Sequence, residues 1–363
     1  MPPHLIAAEI YRHSSYGPKH PLAIPRVSLA LDLIRALGWQ APGQFYESQR
    51  ATPTQMQRFH TAEYVAALQH AEATGEGSAR HAIGHQGNPV FGEVFSRPAT
   101  SAGGTLLATR LVRDGGVAHH LAGGTHHGRP DRASGFCYSN DVALGLLAWL
   151  DAGLERLVYV DIDAHHGDGV QDAFSDDPRV LTISLHEAGR WPHSGGAEDQ
   201  GPAHRNLPMP PGANDSEYQW ALQNAVLPLV RAWRPQAIML QCGADALEED
   251  PLAKLALSNN VHAALAAALV GMAPRLVVLG GGGYNPWTVA RCWAGVWGAL
   301  AGHAPPERLP PAAEAVLRNL APPLERAAWR NPPEHWFTTL RDAPRPGKVR
   351  AEVIRVTQRA LQG

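Results

Sequence analysis

Short, continuously apolar runs alternate along the chain with longer amphipathic stretches. Continuous apolar runs are typical of strands that are covered on both faces, and here they occupy residues 5–11, 117–121, 156–163, 180–186, 236–242 and 275–279. The amphipathic stretches predict helices over residues 27–37, 53–72, 99–113, 140–152, 216–233, 259–272 and 286–301. Thr52 and Gln55 form the pattern of a capping box, with Pro53 at the first helical position. The alternation predicts an α/β fold in which helices cover both faces of a parallel sheet.

The alternation continues to about residue 301 without a linker, a repeat or a low-complexity block. Length alone favours two domains, but the unbroken pattern predicts one domain over residues 1–363. Beyond it, proline pairs at 305–306, 310–311, 322–323 and 332–333 break the chain into short pieces. We therefore expect a proline-rich C-terminal segment that wraps over the sheet from about residue 303, followed by a helix from about Lys348.

The composition is that of a globular protein, with 44% hydrophobic and 18% charged residues. A net charge of −2 argues against a nucleic-acid footprint or a polybasic membrane anchor. No signal-peptide pattern opens the chain, and the longest apolar stretch, 263–274, is shorter than the roughly 20 residues that cross a bilayer. The three cysteines are interpreted as reduced thiols of a cytoplasmic protein. Nineteen histidines prompt a search for a metal or proton-transfer site.

Two carboxylates and a histidine follow one predicted strand at alternate positions. If the strand extends, Asp161, Asp163 and His165 point the same way. Burying unpartnered carboxylates costs several kcal/mol each, and a divalent cation removes that cost. Asp245, after another predicted strand, would join Asp163 and His165 as a third ligand and leave a position open for water, as in a catalytic zinc site. The simpler alternative is a strand end with hydrogen-bonded acids, and a loop-capping role for Asp245.

Two further segments carry groups that suit proton transfer. His126 and His127 follow a predicted strand and a glycine pair, and each needs an acceptor for its far nitrogen. The best acceptors are Asp161 and Asp168. Tyr284 follows four glycines, and such a turn can place its hydroxyl to donate a hydrogen bond to a developing oxyanion. The alternatives are exposed loop histidines and an aromatic ring packed over its loop.

In this order, these segments resemble the zinc-dependent histone deacetylase family, which includes bacterial histone deacetylase-like and acetoin-utilisation-type proteins. The similarity extends from about Tyr16 to Trp293. It rests on residues 123–127, 133–141, 161–169, 184–186, 243–245 and 280–284, with additional matches at 16–21, 26 and 60–64.

The resemblance implies the three-layer arginase/deacetylase fold and one catalytic zinc ion per chain. The implied zinc ligands are Asp163, His165 and Asp245. The implied catalytic residues are His126, His127, Tyr284, Asp161 and Asp168, with the two aspartates paired to the two histidines. The implied walls of the substrate tunnel are Gly135, Phe136, Trp191 and Leu252. A structural potassium ion is implied near Asp161, Asp163, His165, Ser184 and the Leu185 carbonyl.

The chain departs from the family pattern at three positions. Trp191 takes the place of a phenylalanine on the second tunnel wall, which narrows the entrance. Leu252 stands where polyamine-selective members carry a glutamate, so selectivity for cationic polyamines loses support. Arg26, implied at the base of an internal channel, is offset from the usual Pro-x-Arg spacing.

The sequence therefore predicts a zinc-dependent amidohydrolase that removes an acetyl or other acyl group from an N-acylated lysine or small amine. The alternatives are a dinuclear manganese ureohydrolase of the same fold and a non-catalytic protein that binds acylated ligands. Neither nucleic acid nor membrane is an expected partner. The sequence leaves open the substrate, zinc against ferrous iron, and the oligomeric state.

Overall fold

The computed structural model describes residues 2–321 and 329–362. Eight strands in these two ranges form one sheet in the order β2-β1-β3-β8-β7-β4-β5-β6, and every neighbouring pair is parallel. The strands are β1 His4–Ala7, β2 Phe45–Glu47, β3 Gly116–His120, β4 Leu157–Asp161, β5 Val180–Glu187, β6 His204–Met209, β7 Ala237–Gln241 and β8 Arg275–Leu279.

Helices connect the strands. They are α1 Ile10–His13, α2 Arg26–Ala36, α3 Pro53–Met56, α4 Ala62–Thr74, α5 Ser96–Leu111, α6 Asp141–Asp151, α7 Asp168–Phe174, α8 Asp215–Ala221, α9 Leu227–Trp233, α10 Asn260–Leu269, α11 Pro286–Ala301, α12 Pro311–Arg318, α13 His335–Thr338 and α14 Ala351–Ala360. A π-helical turn, Leu222–Val226, joins α8 to α9, and short 3-10 turns occur at Pro21–Ala23 and Ala244–Ala246.

Successive residues of each central strand enter opposite layers of the core. In β4, Val158 and Val160 pack with the hydrophobic cluster that contains α2 and α8–α11, whereas Leu157 and Tyr159 pack with residues of α5, α6 and α7. Both faces of the sheet are therefore buried, which explains why the central strands are continuously apolar in the sequence. The predicted three layers are confirmed.

Several predicted elements differ from the observed ones. The strand predicted over 156–163 ends at Asp161, and the helix predicted over 216–233 contains the π-helical turn Leu222–Val226. The strand predicted over 5–11 ends at Ala7, and Ile10–His13 turns into a short helix whose Arg12 bonds Asp32 of α2 at 2.7 and 2.9 Å. The helix predicted over 53–72 is divided into α3 and α4, because the backbone N–H of Thr61 donates to the carbonyl of Pro130 and its side chain caps α4. The predicted capping box at Thr52 is confirmed at the start of α3.

The part of the proline-rich segment that the structure describes packs over α11. Trp287 stacks on Trp336 at 5.5 Å between ring centroids, and its indole nitrogen donates to the carbonyl of Leu317. Arg291 of α11 forms a fully buried ion pair with Asp342 at 2.8 Å. The proline pair at 322–323 lies outside the described residues. The helix expected from about Lys348 begins at Ala351.

Removal of the Arg291–Asp342 ion pair tests how much this C-terminal segment contributes to the stability of the fold. Asp342→Ala leaves the Arg291 guanidinium buried and unpaired, so we expect the free energy of unfolding to fall by about 3–5 kcal/mol. Asp114→Ala removes an ion pair whose partners are both more than three-quarters exposed, and is expected to cost at most about 1 kcal/mol. Denaturant unfolding measures both, and equal losses would contradict the anchoring role.

A second prediction concerns pH. Burial of His119 in β3 lowers its pKa to about 3, so the unfolded chain binds this proton more tightly than the folded one. The stability contributed by neutral His119 is present above about pH 6.5 and is lost as the pH falls, by up to about 1.4 kcal/mol per pH unit. His119→Leu removes this contribution, so its unfolding free energy should depend less steeply on pH between about 6 and 4. Parallel pH profiles of the two proteins would refute the explanation.

Candidate functional site

Polar segments converge at the carboxyl ends of four adjacent strands, β3, β8, β7 and β4. In the sheet, β3 and β4 are separated by β8 and β7, which come later in the chain. Such a change of strand order opens a crevice for ligands. The segments predicted to carry chemistry, at 122–128, 161–169, 242–245 and 280–284, all follow these four strands. The topology thus brings together residues that are up to 158 positions apart in the sequence, from His126 to Tyr284.

Asp163, His165 and Asp245 form a buried cluster whose nearest ligand atoms all lie within 4.8 Å of one another. The Nδ1 atom of His165 lies 3.2 Å from Asp163 and 3.0 Å from Asp245. Backbone N–H groups orient both carboxylates: Gly282 donates to Asp163 at 2.7 Å and Ala164 donates to Asp245 at 3.0 Å.

The charges in this cluster fit a bound cation. Burial and the neighbouring Asp163 raise the pKa of Asp245 to about 6. Despite its burial, Asp163 has a pKa well below its usual range because His126 and His165 stabilise its charge. Two carboxylates so close together are expensive to ionise without a positive partner. Two aspartates and one histidine are a donor set that zinc accepts, with room for one more ligand.

The tandem histidines are hydrogen-bonded to the two aspartates that were predicted as their acceptors. The Nδ1 atom of His126 lies 2.7 Å from Asp161, and that of His127 lies 2.7 Å from Asp168. Each imidazole therefore keeps its Nε2 atom away from the acid that orients it. Arg129 in turn pairs with Asp168, which fixes this carboxylate from its other side.

The two histidines have opposite electrostatic surroundings. Burial and the adjacent His126 lower the pKa of His127 to about 3. Burial also disfavours charge on His126, but Asp161 and Asp163 outweigh it and raise the pKa of His126 to about 9. The surroundings thus favour the charged form of His126 more than that of His127, and a neutral His127 can accept a proton.

A buried carboxylate at the start of α6 holds the histidine loop. Asp141 accepts backbone hydrogen bonds from Gly124 at 3.1 Å and Thr125 at 2.7 Å, and the hydroxyls of Thr105 and Thr125 also donate to it. Gly124 has a φ of +100°, and a Cβ there would lie 2.8 Å from the backbone of Gly281. Only glycine allows the two loops to meet this closely.

The glycine-rich turn before Tyr284 is fixed from two sides. Arg26 donates to the carbonyls of Gly281 at 2.8 Å and Gly283 at 3.1 Å. The backbone N–H of Tyr284 donates to the buried Asp250 at 2.6 Å. Burial raises the pKa of the Tyr284 phenol well above its usual range, so the hydroxyl keeps its proton and remains a donor.

A cavity of about 670 Å³ opens above this cluster. His127, His165 and Tyr284 lie among its lining residues, as do the four expected tunnel residues Gly135, Phe136, Trp191 and Leu252. The Trp191 ring lies edge-on to His127 at 4.6 Å between centroids. Gly135 adopts a φ of +53°, and a Cβ there would lie 2.4 Å from Trp191 and 2.6 Å from His127. A side chain at position 135 would therefore obstruct the cavity.

Ser184, expected near a potassium ion, is buried in β5 in register with Asp161 of β4. Its hydroxyl lies 3.0 Å from Nδ1 of His186. Leu185 is the next residue of the same strand and is fully buried.

Sequence reasoning gave no role to several residues that support the site. Tyr159 donates to Asp161 at 2.6 Å and to Gln241 at 3.0 Å, and Asp250 anchors Tyr284. Asp141 and Arg129 hold the histidine loop and Asp168. Two features of the sequence indicate such supporting residues. One is a polar residue at a strand end, such as Gln241, and the other is an acid directly after a helix cap, such as Asp141. The partners they select depend on the tertiary fold.

No helix in the described part of the chain combines the length and the apolar character that crossing a bilayer requires.

Comparison with known proteins matches the model described as "Histone deacetylase domain" to residues 20–300. Histone deacetylase 9 of Arabidopsis thaliana is 36% identical over 309 residues, which is 81% of this chain and 72% of that protein. Putative histone deacetylase 2 of Caenorhabditis elegans is 34% identical over 82% of this chain, and the match spans only 61% of its own length. The acetoin utilization protein AcuC of Bacillus subtilis is 31% identical over 89% of this chain and 88% of its own length.

The fold is also that of known structures. A crystal structure of an HDAC homologue complexed with SAHA is 34% identical, with a TM-score of 0.94 over 99% of this chain and 100% of that one. A crystal structure of an HDAC homologue from Aquifex aeolicus superposes with a TM-score of 0.91. The predicted arginase/deacetylase fold is confirmed. Since the family model covers all four strand ends that build the site, this chain belongs to the histone deacetylase family and is a hydrolase of the deacetylase class.

Proposed function

We propose that this enzyme removes an acetyl or other acyl group from an N-acylated lysine or small amine, with one zinc ion held by Asp163, His165 and Asp245. The observation that carries the proposal is the convergence of these three buried side chains within 4.8 Å, next to a cavity that His165, His127 and Tyr284 line. Zinc dependence is typical of the family, and the donor set of the cluster agrees with it.

When bound, the zinc ion supplies Lewis acidity, which polarises the acyl carbonyl and makes a water molecule acidic. Neutral His127 accepts the proton of the attacking water, while Asp168 holds its Nδ1 and leaves Nε2 available. His126, whose Nδ1 lies 2.7 Å from Asp161, acts electrostatically beside the reaction centre.

The remaining steps use the same side chains. The Tyr284 hydroxyl donates to the oxyanion that forms on the carbonyl oxygen. His127 then returns its proton to the leaving amine, which separates from the carboxylate product. Phe136, Trp191, Gly135 and Leu252 form the apolar walls that accept the alkyl chain of the substrate.

We further propose a structural potassium ion near Asp161, Asp163, His165, Ser184 and the Leu185 carbonyl. Oxygen atoms are the preferred ligands of such a hard cation. We also propose that the enzyme works in the cytoplasm, since Cys137, Cys242 and Cys292 are buried free thiols. We further propose that the chain forms one domain. Acylated amines, rather than nucleic acids or membranes, are the proposed partners.

The two alternative functions receive less support. A dinuclear manganese ureohydrolase needs a second metal-ligand group, and the residues described here contain one group of three. A non-catalytic ligand-binding protein does not need the proton-transfer pair or the tyrosine, and His126, His127 and Tyr284 are all present.

The proposal is tested by a panel of acyl substrates. Metal-quantified enzyme is assayed with acyl-lysine peptides, acylated polyamines and small amides that carry short to long acyl chains. We expect release of carboxylate from acyl-lysine substrates and competition by SAHA, which binds the similar homologue. An enzyme that contains metal and cleaves none of these bonds would refute the proposal.

Tyr284→Phe isolates the contribution of the phenol. Loss of one oxyanion donor typically lowers kcat by about 10²–10³, and we expect a decrease of this size with unchanged metal content. Steady-state kinetics and elemental analysis measure the two quantities. A variant that keeps about half of the wild-type turnover would exclude the oxyanion role.

A matched pair of variants separates proton transfer from metal binding. His127→Ala should abolish turnover and keep the metal, because His127 bonds Asp168 and is not one of the three clustered ligands. Asp245→Asn should lose both, because it weakens one of those ligands. If His127→Ala lost the metal as well, His127 would be a ligand instead of a base.

A further inference from the structure

Among the described charged side chains that line the cavity, the positive charge of Lys254 has no negative partner. Glu187 is the one carboxylate among the described lining residues. It is buried and accepts hydrogen bonds from Arg190 at 2.6 and 2.8 Å and from the backbone N–H of Lys254 at 2.7 Å. The charge of Glu187 is thus balanced by Arg190, and neither is left to pair with a substrate.

Lys254 is the remaining permanently charged residue of the lining. Its backbone is fixed on both sides, since its N–H donates to Glu187 at 2.7 Å and its carbonyl accepts from Gly212 at 2.6 Å. Its side chain is exposed and has no acidic partner in the part of the chain that the structure describes. A lysine with a fixed backbone and a free ammonium group presents a steady positive charge beside the path of the substrate.

The acidic residues that precede Lys254 in the chain have partners elsewhere or are buried: Glu248 and Glu249 pair with Arg345, and Asp250 is buried. Leu252, two residues earlier, is also part of the lining and is apolar. Asp250 is buried, and its carboxylate accepts from the backbone N–H groups of Leu252 and Tyr284. Lys254 is thus the one permanent charge without an opposite partner among the described lining residues, and a positive charge favours an anion over a cation.

We propose that Lys254 selects N-acyl amines that carry a carboxylate next to the acylated side chain. This inference rests on the proposed function. An acidic neighbour of an acyl-lysine in a peptide and the free α-carboxylate of an acyl-lysine amino acid both supply this group. Acylated polyamines, which carry a positive charge at the same place, are disfavoured. Lys254 is a specificity-determining residue and takes no part in bond cleavage.

The test compares kcat/KM for capped acetyl-lysine peptides that differ only in a neighbouring Asp, Asn or Lys. Free Nε-acetyl-lysine and its α-amide distinguish the two sources of the carboxylate. Ion pairs at exposed positions contribute up to about 1 kcal/mol, so the Asp peptide should exceed the Asn peptide by up to about fivefold. The ratio should shrink as the salt concentration rises, because salt screens exposed charges.

Three variants locate the effect. Lys254→Gln should bring the kcat/KM ratio of the Asp peptide to the Asn peptide close to one, and Lys254→Glu should bring it below one. Lys348→Gln removes an exposed lysine outside the cavity and should preserve the wild-type ratio. Calorimetric binding of the deacylated peptides should follow the same order, which provides a measurement independent of turnover.

The outcomes separate this inference from the proposed function. Hydrolysis of all peptides at equal rates, or a charge preference that survives Lys254→Gln, would overturn the role of Lys254 and leave the deacylase activity standing. Failure of metal-loaded enzyme to hydrolyse any acyl peptide would overturn the proposed function itself.

Discussion

Buried carboxyl groups at one end of the sheet determine how the surrounding loops are built. Six aspartates with less than a tenth of their surface exposed lie at or near the carboxyl ends of the central strands: Asp141, Asp161, Asp163, Asp168, Asp245 and Asp250. Ionised carboxylates without partners would be prohibitively costly there. Each must obtain donors or cations from neighbouring loops, so the loops are shaped around the acids.

The groups that stabilise each buried aspartate differ. Asp141 is satisfied by backbone N–H groups and threonine hydroxyls, whereas Asp161 and Asp168 each hold one of the tandem histidines. Asp163 and Asp245 face each other across His165, and this pair is the one for which we propose a divalent cation. The same arrangement that stabilises the fold also brings together the proposed base, the proposed cation site and a phenol, so stability and the proposed chemistry share their interactions.

Much of this arrangement could be predicted from the sequence because its signals are local. The central strands are buried on both sides and read as unbroken apolar runs, and the polar residues after them are conspicuous by contrast. The edge strands β2 and β6 were not predicted, since Phe45–Glu47 is short and His204–Met209 contains polar residues at the margin of the sheet. The roles of Asp250 and Arg129 also escaped prediction, because their partners are brought near only by the folded chain.

The proposed chemistry requires one cation held by two aspartates and one histidine next to the cavity. Anomalous diffraction at the zinc absorption edge, on crystals grown with zinc, shows whether such an ion is present. We expect one strong peak at about 2.0–2.2 Å from Asp163, His165 and Asp245. A map without a peak there, or with a second equal peak about 3.5–4 Å away as in two-metal hydrolases, would contradict it.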